Sequence, residues 1–206
     1  MKNELGCKTA NRYYVPKAVD TTGVVLSDEV LAMCEALAMN AHNMWAIKKM
    51  AEGFTYGDGE KQSPFLKPYS LLAESEKQGN RTTVLEPIKV LVLMGFSVIA
   101  PQQVLPIESQ TIETFDPKCI DIFSVKIDAE LEAAVDAIAF NAHEVWSIDR
   151  LQNGWIWAET RDNNQKHHPL LKPYEELSES DKSYDKDLAF GTLKAIVAIG
   201  GSIVKN

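Results

Sequence analysis

The chain has 206 residues, 45% of them hydrophobic and 24% charged, a balance that suits a soluble globular protein of one large or two small domains. Its net charge of −8 argues against a broad nucleic-acid-binding surface, although a local pocket can still be basic. Three cysteines, Cys7, Cys34 and Cys119, sit at no metal-ligand spacing and point to reduced thiols in a cytoplasmic protein rather than a disulfide framework.

No apolar region precedes Leu5-Gly6-Cys7, so these residues are not read as a lipoprotein cleavage site. The longest apolar run, Ile88 to Ala100, is interrupted by Lys89 and Gly95 and is too short to cross a membrane.

Residues 1–13 read as a polar, unpatterned tail. Tyr14-Val15-Pro16-Lys17 opens an extended arm, because proline fixes its own φ and biases the residue before it away from helix. Ser27 is a good N-cap, with Asp28 and Glu29 favourably placed against the helix dipole. Val30, Cys34, Leu37, Ala41 and Met44 then recur at helical spacing, predicting a long amphipathic helix that Gly53 stops. Its last part carries Asn40-Ala41-His42-Asn43-Met44-Trp45, in which His42 and Trp45, three apart, share a face beside the apolar stripe. Lys49 lies four residues past the tryptophan and could cover its indole as a cation.

Gly53-Phe54-Thr55-Tyr56 and a turn through Gly57-Asp58-Gly59-Glu60 lead to Pro64-Phe65-Leu66-Lys67-Pro68-Tyr69, an extended segment stiffened by two prolines. A closing helix is predicted from about Thr82 to Met94, with Pro87 in or near its opening turns, where proline costs least. Gly95 ends it, and Phe96-Ser97-Val98-Ile99 alternates as a short strand that could pair with the extended arms. Residues 100–114, bounded by Pro101 and containing Pro106, read as a linker.

The whole order then repeats over residues 115–206. Phe115-Asp116-Pro117-Lys118 matches the arm, Asp128 is the second cap, and Leu131, Val135, Ile138, Ala142 and Val145 form the second stripe. Asn141-Ala142-His143-Glu144-Val145-Trp146 and Gly154-Trp155-Ile156-Trp157 stand at an offset of 101 residues (143 − 42) from their counterparts, and Arg150 takes the place of Lys49. Four additional residues follow, so His168-Pro169-Leu170-Leu171-Lys172-Pro173-Tyr174 and Glu179-Ser180-Asp181-Lys182 are offset by 105 (173 − 68). The second closing helix is expected from Asp187 to Ile199, and Ser202-Ile203-Val204 is the second short strand.

Two readings of the repeated His and Trp are open on the residues alone. An indole beside an apolar stripe serves packing, with the imidazole as a hydrogen-bonded spacer; or both line a ligand site. Metal binding is not expected, since the adjacent His167 and His168 seldom point at one ion and no carboxylate or cysteine sits at ligand spacing. No Gly-rich phosphate loop, nucleophile motif or carboxylate pair suggests an enzyme, and no cofactor is implied.

The ordered set Y-V-P-K, N-A-H-x-x-W, G-[FW]-x-[YW], P-x-L-x-P-Y, E-S-[ED]-K and T-[LI]-K-x-[LI]-x-x-x-G, occurring twice, resembles the RyR domain. This repeat is found in pairs in ryanodine receptor calcium channels and as small free-standing proteins in bacteria and phages. The resemblance covers Tyr14 to Ile99 and Phe115 to Val204. It implies a mainly α fold with short β-strands (α+β), each repeat having two long antiparallel helices, the repeats related by a pseudo-two-fold axis.

The resemblance further implies a cleft between paired repeats that takes adenine nucleotides or flat ligands. By matching position, that implicates His42, Trp45, His143 and Trp146. Two facing indoles would form a stacking slot, and Asn40 and Asn141, with the histidines, would bond a base edge or ribose. Arg81 and Lys186, with Lys17 and Lys118, are candidates for phosphate. The chain departs from the family pattern where Tyr184-Asp185-Lys186 stands against Gly79-Asn80-Arg81, and where Glu86 becomes Gly191.

Three functions follow. The first is a non-enzymatic module binding an adenine-containing or NAD-derived nucleotide, as a second-messenger sensor or as a phage sponge against a nucleotide immune signal. A double repeat without an effector domain suits the sponge better. The second is a protein-interaction scaffold with no small ligand, and the third is an enzyme using His42 or His143. Neither a nucleic-acid nor a membrane partner is expected, and assembly into a homo-oligomer is left open.

Overall fold

The computed structural model describes residues 5–10, 12–103 and 110–206. Residues 104–109, with Pro106 and much of the expected linker, lie outside the described residues, as do residues 1–4 and 11 of the expected tail.

The described elements follow the repeat. Strands β1 (Cys7–Lys8) and β2 (Tyr13–Tyr14) precede helix α1 (Asp28–Ala51), strands β3 (Thr55–Tyr56) and β4 (Gln62–Ser63), helix α2 (Glu74–Leu93) and strand β5 (Phe96–Ile99). Helix α3 (Ala129–Gln152), strands β6 (Ile156–Trp157) and β7 (His167–His168), helix α4 (Glu179–Ala198) and strand β8 (Ser202–Lys205) complete the chain. This is the expected mainly helical α+β class. A single 3-10 turn follows each Lys-Pro pair, at Tyr69–Leu71 and Tyr174–Glu176.

Helix α1 begins where the sequence places it. Ser27 is extended at the N-cap and its Oγ accepts the Val30 N–H at 3.4 Å. Both α1 and α3 end two residues before a glycine, and Gly53 and Gly154 take the left-handed φ values of 83° and 78° that a side chain would resist.

Helices α2 and α4 each start about two turns earlier than predicted. The Glu-Ser-acid-Lys segments are their first turns: the Glu76 carboxylate accepts the Ala73 N–H at 2.6 Å, and Ser178 Oγ donates to Asp181 at 2.6 Å while accepting the Asp181 N–H at 3.1 Å. The polar run Gln78-Gly79-Asn80 looks like a turn in one dimension but is an ordinary helical stretch, exposed at Gln78 and Gly79 and partly buried at Asn80. Pro87 therefore lies deep inside α2 rather than in its opening turns. It is buried there, and packing has to offset a proline cost of about 3 kcal/mol.

The terminal strands also differ from expectation. Strand β5 pairs with β8, antiparallel, with Phe96 opposite Lys205 and Ile99 opposite Ser202, rather than with an extended arm. The arm instead continues from a small antiparallel pair, β1 with β2. The polar start of the chain thus hides an ordered piece: Cys7 is buried with Tyr14, Leu151 and Leu171, and its Sγ–H donates to the Leu171 carbonyl at 3.6 Å.

Two compact units divide the chain, and each combines pieces remote in sequence. One comprises Met1–Gly23 with Ala129–Phe190, the other Val24–Asp128 with Gly191–Asn206. The arm of the first repeat therefore belongs with α3, and the arm of the second with α1. In the unit containing α1, the core joins Val30, Met33, Cys34 and Leu37 to Val84, Ile88, Ala195 and Ile196. Burial pushes the Cys34 thiol up to about 12, so it behaves as a small hydrophobe. In the other unit, Ala139, Tyr174 and Leu177 form one cluster, flanked by Phe140.

The predicted stripes hold for Val30, Cys34, Leu37, Leu131, Val135 and Ile138, all buried, but Met44 is 45% exposed. From Asn40 onward the buried residues of α1 are Asn40, His42 and Ala46 instead. Leu37→Ala and Ile138→Ala should each cost about 2–5 kcal/mol in urea unfolding; a loss below about 1 kcal/mol for either would show that its site collapses without a cavity.

Candidate functional site

The repeated Asn-Ala-His-x-x-Trp face is built twice on one plan. Asn40 and Asn141 are 7% and 1% exposed, far more buried than an asparagine at a ligand rim would be. Each clamps an arm: Asn40 Oδ1 accepts the Ile120 N–H at 2.8 Å, and Asn141 Oδ1 accepts the Val19 N–H at 2.7 Å. The acceptors and the donors both stand 101 residues apart (141 − 40 and 120 − 19).

The histidines clamp the proline-rich segment behind the helix. His42 Nε2–H donates to the Lys67 carbonyl at 2.7 Å and His143 Nε2–H to the Lys172 carbonyl at 2.8 Å. Burial lowers both imidazole pKa values, the backbone bond opposing it, so the rings are held neutral with Nδ1 as the acceptor. Each ring is enclosed by others: His42 by Trp45, Tyr69 and Phe115, His143 by Trp146, Tyr174 and Tyr14, at centroid distances of 5.6–6.5 Å.

The position after each histidine finishes the clasp with opposite polarity. Asn43 Nδ2 donates to the Lys118 carbonyl at 2.9 Å. Glu144, 2% exposed, instead accepts the Lys17 N–H and the Tyr14 hydroxyl. Burial raises the Glu144 carboxyl above its ordinary range against the pull of those donors.

The tryptophans differ from their neighbours: both are half-buried and line cavities. Trp45 shares one of about 480 Å³ with His42, Phe65, Leu72 and Glu76. Trp146 lines one of about 450 Å³ with His143, Leu170, Leu177 and Asp181, which stand at matching positions. Both volumes fall within the range of small-molecule pockets.

The phosphate candidates lie elsewhere, tied to carboxylates. Arg81 forks onto Glu35, with Nη2 2.9 Å from Oε1, and also reaches Glu74. Lys186 Nζ is 2.8 Å from Asp136. Lys118 is exposed near Asp116, while Lys17 contributes its backbone N–H to Glu144. Arg150 does cover Trp146, its guanidinium carbon 5.9 Å from the ring centroid, and lies 5.4 Å from Trp155. The matching Lys49 lies over Phe54 and is paired with Glu52.

Among the residues of the Trp146 cavity that sequence did not single out as ligand contacts are Asp185, Arg161 and His168. Their signals were the departure of Tyr184-Asp185 from Gly79-Asn80 and the four-residue insertion. Asp185 is pushed up to about 6 by burial, and the Nδ1 of the neutral His143 ring lies 4.0 Å from its carboxylate, beyond hydrogen-bond range.

The RyR domain family model matches residues 14–100 and 115–205. With nearly the whole length accounted for by two copies, the chain belongs to the RyR domain family.

Two expectations follow from this geometry. Asn141→Ala would leave the Val19 N–H without its acceptor, and chemical denaturation should show a loss of about 1–3 kcal/mol. Asp185 binds its proton more tightly folded than unfolded. Its contribution is therefore fully present below the ordinary carboxyl range near 3.8 and lost as pH rises through about 6. Asp185→Asn should accordingly gain stability at pH 7.5 relative to pH 4, by at most roughly 3 kcal/mol; an unchanged pH profile would place the carboxyl in water.

Proposed function

We propose that the chain is a non-enzymatic binding module that holds an adenine-containing or NAD-derived nucleotide against its His-Trp faces. In a cell this suits a second-messenger sensor or a sponge that sequesters a nucleotide signal. The observation that carries the reading is the division of labour along each motif: Asn and His are committed to the fold, whereas Trp45 and Trp146 remain half-buried on cavities. A stacked base on an aromatic ring contributes on the order of 1–3 kcal/mol, independently of base identity. Each imidazole Nε2 is engaged with a backbone carbonyl, which favours binding over proton transfer.

A protein-interaction role has one observation of its own, the exposed Met44, Ile47 and Met50 along α1. A thermal-shift panel of adenine nucleotides, NAD, ADP-ribose and cyclic nucleotides distinguishes the two. A ligand at a hundred times its dissociation constant should stabilise by about 2.7 kcal/mol. Trp146→Ala should weaken or abolish the shift while costing less than the roughly 3–5 kcal/mol of a sealed aromatic. Silence across the panel would favour the interaction role.

A further inference from the structure

The insertion that distinguishes the second repeat is an ordered structure. Asp162 and His167 exchange both backbone hydrogen bonds, at 3.1 and 2.8 Å, and Asp162 Oδ1 accepts the Asn164 and Gln165 N–H groups at 2.9 and 3.1 Å. Lys166 Nζ fastens the turn to the Asn153 carbonyl at 2.9 Å. Arg161, which precedes this turn, lines the Trp146 cavity. Its Nε–H donates to Asn163 Oδ1 at 2.9 Å, a bond that orients the guanidinium and leaves its two terminal amino groups free of that contact. The corresponding turn of the first repeat adds no residue to the Trp45 cavity wall.

Next to Arg161 is His168, buried and edge-on to both Trp146 and Trp155, at 4.8 and 6.0 Å. His168 Nδ1 accepts the Leu170 N–H at 3.2 Å, which puts the ring proton on Nε2 and makes that nitrogen a donor. Burial, with Arg161 and Arg150 as neighbouring positive charges, lowers this ring to about 4, so it stays neutral at ordinary pH. The corner thus gathers a guanidinium, a second one stacked on the indoles, and a neutral N–H donor. Arg161 also differs from Arg81 and Lys186: among the described residues no carboxylate stands within ion-pair distance of it, whereas those two are neutralised.

We propose that Arg161 and His168, backed by Arg150, form an anion subsite of the Trp146 cavity that takes the phosphate of a nucleotide. The subsite belongs to the second repeat alone. Arginine suits this because its planar fork of donors matches phosphate oxygens. Asp181 and Asp185 line the same cavity and repel an anion, so the phosphate belongs at the Arg161 side and the uncharged base beside the carboxyls. This assignment rests on the nucleotide reading for the identity of the ligand, but not for the existence of the anion subsite.

The test uses the full chain and Arg161→Gln, with adenosine, AMP and inorganic pyrophosphate as probes, and calorimetry alongside the NMR signals of the Trp146 and Trp155 indoles and the His168 ring. AMP should bind about tenfold tighter than adenosine, an advantage that fades with salt and disappears in Arg161→Gln while adenosine binding is unchanged. Pyrophosphate alone should shift the His168 and indole signals in the native chain and not in the variant. Adenosine and AMP binding equally, or pyrophosphate leaving those signals unmoved, would overturn the subsite while the nucleotide reading stood. Pyrophosphate binding lost in Arg161→Gln, with no adenosine binding, would keep the subsite and overturn the nucleotide reading.

Discussion

The fold depends on a buried amide that gives its oxygen to the backbone of a distant arm. Asn40 and Asn141 lie almost fully inside, where an unpaired amide would be costly, and each accepts a backbone N–H that has no partner in regular structure. The arms carry too few residues in strand to satisfy their own polar groups. The helix supplies the missing acceptor, and the histidine two residues on supplies a donor to the proline-rich segment. One helical turn thereby holds two irregular segments. This explains why each compact unit contains an arm from one repeat and the Asn-Ala-His-x-x-Trp helix of the other.

That commitment shapes what is left for chemistry. A histidine with its Nε2–H fixed on a carbonyl and its pKa lowered by burial is a rigid spacer, and its ring cage orients the indole beside it. The tryptophans keep exposed surface because the cavity walls opposite them come from α2 and α4, whose early turns carry Ser75, Glu76, Ser180 and Asp181. Polar first turns cannot close over an indole as an apolar helix face would.

The two copies share a clasp but not an electrostatic environment. Tyr69 donates its hydroxyl to Glu35 at 3.2 Å, and Glu35 is held below its usual carboxylate range chiefly by the Arg81 hydrogen bonds. In the second copy the shorter Asp136 pairs with Lys186, and the Tyr174 hydroxyl has no partner among the described residues. Asn80 bonds back to the Glu76 carbonyl at 3.1 Å, whereas Asp185 is a carboxyl raised by burial. The second cavity therefore carries titratable and cationic groups that the first lacks, and the copies are chemically distinct despite their common scaffold.

Sequence by itself determined the duplication, the family, the long helices α1 and α3, the Ser27 cap, and the core at Leu37 and Ile138. These follow from local periodicity and from residue types whose backbone preferences are intrinsic. It also located the tryptophans beside the core stripe, but could not separate packing from lining, because exposure depends on what lies opposite. The early starts of α2 and α4, the buried Pro87 and the pairing of β5 with β8 are tertiary outcomes, since polar helical turns resemble loops and a strand's partner is not encoded in its own residues. The same holds for the site. The residues alone left the histidines open between spacer and ligand contact, and only the partners Ile120, Val19, Lys67 and Lys172 show what Asn40, Asn141 and the histidines bond, while the place of Arg161 beside Trp146 depends on how the insertion folds. Hydrogen-bond partners more than a hundred residues away, as Val19 is from Asn141, are decided by chain topology, which no local spacing contains.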